Sequence, residues 1–384
     1  MSKRVAVLGS GKIGELVATM LVDAGDYHVV LADVDEGRLR TLALPWATKR
    51  IETAGLDARD RAATARLFRE RRLEAAVSCL PYYLNVEVAT AARETGLHYF
   101  DLTEDVEVTR AVRRLATEAG QAQAFVPQCG LAPGFISIAA NHLMRRFETL
   151  DEAKLRVGAL PQYPSNELKY ALTWSSDGVI NEYGNLCEGI IDGRLQSLQP
   201  LEGLESIELR GRRYEAFNTS GGLGSLADTY QGRIRHLTYK TIRYPGHCTL
   251  VRFLMNDLRL NDDRPTLKRI LENAVPRTEQ DVVLVYAGVR GTRQGGFYED
   301  TYVQAVYPDE IAGRRWAAIQ ITTAAGVTTV LDLVLSHPGR YHGFVRQEDI
   351  DLETFLANRF GRRYRPDARA WTFETAAAQE VATS

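Results

Sequence analysis

The chain lacks several features that would narrow its function at once. Its 384 residues include four cysteines, at positions 79, 129, 187 and 248, and no CxxC pair. That spacing argues against a zinc site or a disulfide framework, so no metal is expected and a reduced, cytoplasmic setting is the simplest reading. No apolar run stands out at the roughly 18 residues that a membrane span needs. The formal net charge is −2, with charged residues at 25%. That balance favours neither nucleic acid nor an anionic membrane surface. No internal repeat and no low-complexity block is present. The opening MSKRVAVLG runs directly into a strand pattern, from which no signal peptide is expected.

What the chain does have is concentrated at its start. An apolar run, Val5 to Leu8, enters a glycine pattern at Gly9, Gly11 and Gly14. A helix pattern follows, then a second apolar run that closes on Asp33. Gly9 permits a tight turn, Gly11 lets a pyrophosphate approach the backbone, and Gly14 lets the helix pack on the strand. The helix N-terminus, with Lys12 and Ile13, offers free N–H groups to phosphate. Asp33 lies about 20 residues on, where its carboxylate can accept the adenosine ribose hydroxyls. A lone glycine pattern is weak; one placed between a strand and a helix and closed by an acid is a dinucleotide site. The Asp33 carboxylate would repel a 2′-phosphate, with Asp35 adding to this and Arg38 and Arg40 partly offsetting it. NAD is therefore expected over NADP.

Strand and helix patterns alternate through the first third, which predicts a doubly wound parallel sheet. Ligands bind such sheets outside the carboxyl ends of the strands. That edge should carry Gly9, Asp33, Asp57, the Cys79-Leu80-Pro81 strand end, Glu104 and Gly130. From Leu155 to about Gln320 the texture turns to strands, including one over Trp316–Thr322, with helices near Cys248–Leu258 and Thr266–Asn273. The expected organisation is a Rossmann domain over 1–130 and an α+β substrate and dimerisation domain with a mixed or antiparallel sheet over 131–321. A segment over 322–365, helical from Thr322 to Ser336, should pack back on the first domain. A mobile tail over 366–384 completes the chain.

Three later blocks carry candidate chemistry. CGLAPGF, from Cys129, is a cofactor-edge crossing or a plain inter-domain turn. KYALTWSSDGVINEY gathers Trp174, Ser175, Asp177, Asn181, Glu182 and Tyr183, an apolar wall with polar groups suited to an amino acid; it also reads as an ordinary helix start. YKTIRYPGH gathers Lys240, Arg243, Tyr244 and His247. Arg243 can hold a substrate carboxylate in a forked pair. Lys240, His247 or Glu104 would carry the proton. Lys240 and Arg243 point to opposite faces of a strand, so not all can share one pocket. His247 reads equally as a structural histidine.

Through these blocks the chain resembles the saccharopine dehydrogenase and lysine 6-dehydrogenase family. VLGSGKIG, Cys79-Leu80-Pro81, PQCGLAPGFISIAANHL, TWSSDGVINEY, AFNTSGG and YKTIRYPGH carry the resemblance, from residue 4 to about 361. It implies oxidation of an amine-bearing carbon on a lysine-type amino acid, by an enzyme expected to be a homodimer or higher homo-oligomer. In the lysine 6-dehydrogenase form, hydride leaves the ε-carbon and water releases aldehyde and ammonia. In the saccharopine form the released amine is glutamate. A reading of another class is a nucleotide-binding sensor that kept the fold without the chemistry. A sugar or polyol dehydrogenase lacks support, since no Glu-Lys-Pro segment follows the first strands.

Overall fold

The computed structural model describes residues 2–42, 50–120 and 122–365. The tail expected to be mobile lies outside the described residues. Two sheets organise the rest.

The first sheet has seven strands, all paired in parallel. Their order is Gly343–Phe344, Ala124–Val126, His98–Asp101, Ala75–Ser78, Lys3–Leu8, Tyr27–Asp33, Ile51–Gly55. Lys3–Leu8 pairs with Tyr27–Asp33 on one side and Ala75–Ser78 on the other. The chain reverses its direction of travel there, which makes the end of Lys3–Leu8 the switch point where such sheets bind ligands. Every residue from Val5 to Leu8 is buried, as a strand covered on both faces requires.

The second sheet has eight strands. Its main path is Glu205–Leu209, Arg212–Asn218, Ile234–Arg243, Thr149–Pro161, Asp281–Arg293, Gly296–Val306. Ile234–Arg243 runs parallel to Thr149–Pro161, and the other pairings are antiparallel. The sheet is therefore mixed. The hairpin Cys187–Ile191 and Arg194–Leu198 attaches to Ile234–Arg243.

Trp316–Thr322 is not a strand. Arg314–Trp316 forms a short strand, and a helix runs over Ala318–Ser336, beginning before the expected Thr322. The Asp281 carboxylate accepts the Ala318 and Ile319 N–H groups at 2.6 and 2.9 Å and so fixes the start. By length and composition this helix suffices to cross a membrane, contrary to the expectation that no run reaches that length, and 83% of its apolar window is buried inside the molecule. It packs on Lys12–Asp23. The expected helix over Cys248–Leu258 is an α-helix, His247–Arg252, continued by a π-helical turn, Phe253–Asp257. The helix Phe135–Met144 is not among the expected elements, and it packs under the second sheet. One continuous core joins Val5 and Leu16 to Phe135, Val285 and Ile321, so both sheets share it.

Candidate active site

Between the glycine turn and the second sheet lies a cavity of about 970 Å³. Its nucleotide side is Gly11, Lys12, Ile13, Gly14, the strand end Cys79-Leu80-Pro81, Glu104 and Gly130. Gly9 and Gly14 stand where the backbone leaves no room for a side chain. Gly9 has φ +98°, and a Cβ there would sit 2.9 Å from the Cys79 carbonyl oxygen. A Cβ at Gly14 would overlap the Gly9 carbonyl. A Cβ on Gly11 would meet nothing within 4 Å; it would project into open space at the helix start. That cradle, opened by a glycine N-cap that leaves the first helical N–H groups without a side-chain acceptor, fits a pyrophosphate.

Asp33 stands at the end of its strand. One carboxylate oxygen accepts the Ser10 N–H at 2.6 Å and the Ser10 hydroxyl at 2.8 Å, and the other accepts the Asp35 N–H at 2.9 Å. Burial raises its pKa, but these donors and Arg38 outweigh burial and hold the carboxyl below its ordinary range. Arg38 spends its Nε on the Ser10 carbonyl at 2.8 Å. Asp57 follows the edge strand Ile51–Gly55, beside the strand that ends at Asp33. It is partly exposed at the sheet edge, and Arg59 folds back on it at 2.7 Å.

The opposite wall comes from strand alternation. Tyr239, Thr241 and Arg243 face the cavity. Lys240 therefore faces away: its ammonium donates to the Gly203 carbonyl at 2.6 Å and pairs with Glu205 at 2.7 Å. Tyr244 also lies on that far side and donates to the Pro161 carbonyl at 2.8 Å. Neither reaches the cavity, so the proton role expected of Lys240 and the substrate role expected of Tyr244 are corrected.

Arg243 is 2% exposed. Its Nε donates to the Tyr183 hydroxyl at 2.8 Å, and Nη1 donates to Thr241 at 2.7 Å and the Ile242 carbonyl at 2.9 Å. Nη2 makes a longer approach, 3.7 Å, to Glu182. Tyr183 sits behind Arg243 rather than on the cavity surface. Its hydroxyl lies 3.0 Å from His247 Nε2, while His247 Nδ1 lies 2.7 Å from the Leu168 carbonyl. The ring therefore donates from Nδ1 and accepts at Nε2. Burial and the Arg243 charge push His247 down to about 3, so it stays neutral. His247 is a support for Tyr183, not a proton carrier at the cavity, and this corrects its expected role.

Trp174 and Asn181 line the cavity. The Ser175 hydroxyl caps the helix Ser176–Gly184, and Gly178 leaves room for the Trp174 ring, which a Cβ would strike. Arg264 holds the Asn181 side chain at 3.0 Å. Two carboxyls, Glu104 and Glu182, line the same cavity. Burial raises Glu104 on the nucleotide side. Burial also raises Glu182 to about 7; Arg243 pulls it down, and Glu104 adds to the rise. Sequence reasoning placed Glu182 in a polar block without giving it a role. Arg277, Lys268, Thr241 and Gln320 also line the cavity and were not singled out.

Comparisons with known proteins agree with this architecture. Residues 5–126 match the family model described as saccharopine dehydrogenase NADP binding domain, and residues 130–360 match saccharopine dehydrogenase C-terminal domain. A curated relative, saccharopine dehydrogenase [NADP(+), L-glutamate-forming] of Saccharomyces cerevisiae, is 27% identical over 211 residues. The match covers 52% of this chain and 44% of the relative, so the chain matches less than half of that protein's length. The solved apo saccharopine dehydrogenase (L-Glu forming) from Saccharomyces cerevisiae superposes with a TM-score of 0.73 at 18% identity. That likeness covers 92% of this chain and 95% of the other, and it shows a shared fold.

Proposed function

The chain belongs to the saccharopine dehydrogenase family, and we propose that it oxidises the ε-carbon–nitrogen bond of a lysine-type amino acid with a nicotinamide dinucleotide as acceptor. The observation that carries this reading is Arg243, a buried guanidinium on the cavity wall facing the glycine turn. A fixed cation there suits a substrate carboxylate. Gly11 to Gly14 would hold the pyrophosphate and Asp33 the adenosine ribose. When bound, the nicotinamide supplies the hydride acceptor. Glu104, on the nucleotide side, takes the proton that the substrate ammonium must lose before its lone pair can expel hydride from carbon. Water then adds to the imine and releases aldehyde and ammonia.

A second reading is oxidation of saccharopine with glutamate as the leaving amine. Arg277 and Lys268 line the same cavity and offer partners for the additional carboxylates, although Lys268 already pairs with Asp177 at 2.6 Å. The yeast relative's name supports this reading. For the cofactor we favour NAD, because the ionised Asp33 carboxylate repels a 2′-phosphate; the family model and the yeast relative are both named for NADP. Reduced-dinucleotide formation with lysine, saccharopine and ornithine tests the proposal. Turnover of lysine supports the first reading, and turnover of saccharopine alone supports the second. Tight dinucleotide binding without turnover of any amine overturns both and favours a sensor.

A further inference from the structure

Glu182 poses a problem that the reaction above leaves unsolved. Its Oε2 is enclosed and has no hydrogen-bond partner. A buried carboxylate oxygen without a donor is costly. Arg243 Nη2 lies 3.7 Å away, too far for a hydrogen bond to settle either group. With Oε2 enclosed, the 13% exposure of the Glu182 side chain belongs to its other atoms, and through these, Oε1 included, it lines the cavity without a hydrogen-bond partner among the described residues. The wall therefore presents a cation and an anion side by side, each incompletely satisfied. The carboxylate and ammonium of an α-amino acid share one carbon and present the complementary pair.

Resting on the proposed oxidation of an amino acid, we propose that Arg243 and Glu182 form a clamp for the zwitterionic head of the substrate. Arg243 takes the carboxylate, and Glu182 takes the α-ammonium. The clamp selects α-amino acids over simple carboxylates of the same length. It also turns the side chain toward Glu104 and the glycine turn on the opposite wall, where the ε-carbon must lie to give up hydride.

Glu182 is faced by Arg243 and Tyr239 from one strand, by Glu104 from the nucleotide domain, and by Tyr170, Tyr183 and Cys187. Its carboxyl is held up to about 7 by burial. An ammonium ligand binds the ionised form, so head-group affinity should rise with pH through about 7 and level off above it.

Calorimetric titration of the dinucleotide-saturated protein with norleucine and with hexanoate tests the clamp. Both lack an ε-amine, and they differ by the α-ammonium. Wild-type protein should prefer norleucine by about tenfold or more near pH 8, and the preference should shrink near pH 6. Glu182→Gln should bring the ratio close to one at both pH values, with dinucleotide affinity unchanged. A ratio that Glu182→Gln leaves at its wild-type value overturns the clamp, as does wild-type protein that binds both ligands equally. If the variant is too unstable to titrate, a wild-type ratio that is flat with pH overturns it. Selective norleucine binding without turnover of any amine would sink the proposed oxidation and leave the clamp standing.

Discussion

Arg243 shows how much of a site can depend on one side chain. Burying a guanidinium is tolerable because Tyr183, Thr241 and the Ile242 carbonyl occupy its other donors. Those contacts aim the remaining nitrogen at the cavity before any substrate arrives. Arg243→Ala should raise the amino-acid KM by about ten- to hundredfold with a smaller effect on kcat, and Arg243→Lys should not restore it, because an ammonium lacks the planar fork. An unchanged KM would remove Arg243 from the substrate site. Asp33 is the matching case on the nucleotide side. Its carboxylate is fixed by Ser10 and Asp35 and kept ionised, and on the proposed reading that charge opposes a 2′-phosphate. Asp33→Ala should shift the kcat/KM ratio toward NADP by ~10-fold or more, since like charges held in contact are strongly unfavourable. Steady-state kinetics with both dinucleotides would show this, and a ratio that does not move would place cofactor choice elsewhere.

Elements differ in how much of their role a sequence can state. The unit from Lys3 to Asp33 is read easily because its strand, turn, helix and acid are contiguous, and Gly9 and Gly14 each answer a local steric demand. Gly14 is the sharpest of these. An added methyl meets the Gly9 carbonyl, a backbone atom that cannot rotate aside. Gly14→Ala should therefore push the helix off the strand, lower stability by roughly 1–3 kcal/mol and weaken dinucleotide binding measurably. A variant that keeps wild-type affinity by fluorescence titration would contradict the close packing. The strand Ile234–Arg243 is only half legible. Period-two alternation separates Lys240 from Arg243, but which face meets the cavity depends on pairing with Thr149–Pro161, about 80 residues earlier in the chain. His247 follows Arg243 closely in sequence, yet Gly246, at φ +99°, turns the chain so that the ring lies behind Tyr183. Glu182 was missed for the converse reason. A glutamate in a helix pattern is ordinarily a solvated residue, and its burial comes from elements far away in the chain, Arg243 and Glu104 among them.

At the scale of the whole molecule, the nucleotide sheet is not finished by the first third of the chain. Gly343–Phe344 supplies its outermost strand beside Ala124–Val126, after the entire second sheet has been built. The segment that follows returns to the shared core. Arg359 bridges Asp26 of the nucleotide domain at 2.9 Å and Asp332 of the long buried helix at 2.8 Å. Tyr364 stacks on Phe135 with ring centroids 3.8 Å apart and donates to the Thr322 carbonyl at 2.7 Å. Its own carbonyl accepts the Tyr302 hydroxyl at 2.8 Å, from the edge strand of the second sheet. One residue thus ties the helix Phe135–Met144, the long core helix and the edge of the second sheet together. Emptying that position removes the stacking partner and leaves a cavity, so Tyr364→Ala should cost about 3–5 kcal/mol. Tyr364→Phe, which loses a hydrogen bond but keeps the stack, should cost only about 1 kcal/mol. Since the core is continuous, calorimetry of Tyr364→Ala should show one transition moved to lower temperature, with both domains melting together. A variant that splits into two transitions, with the nucleotide domain melting at its wild-type temperature, would show that the two sheets are stabilised separately and that the C-terminal segment does not join them.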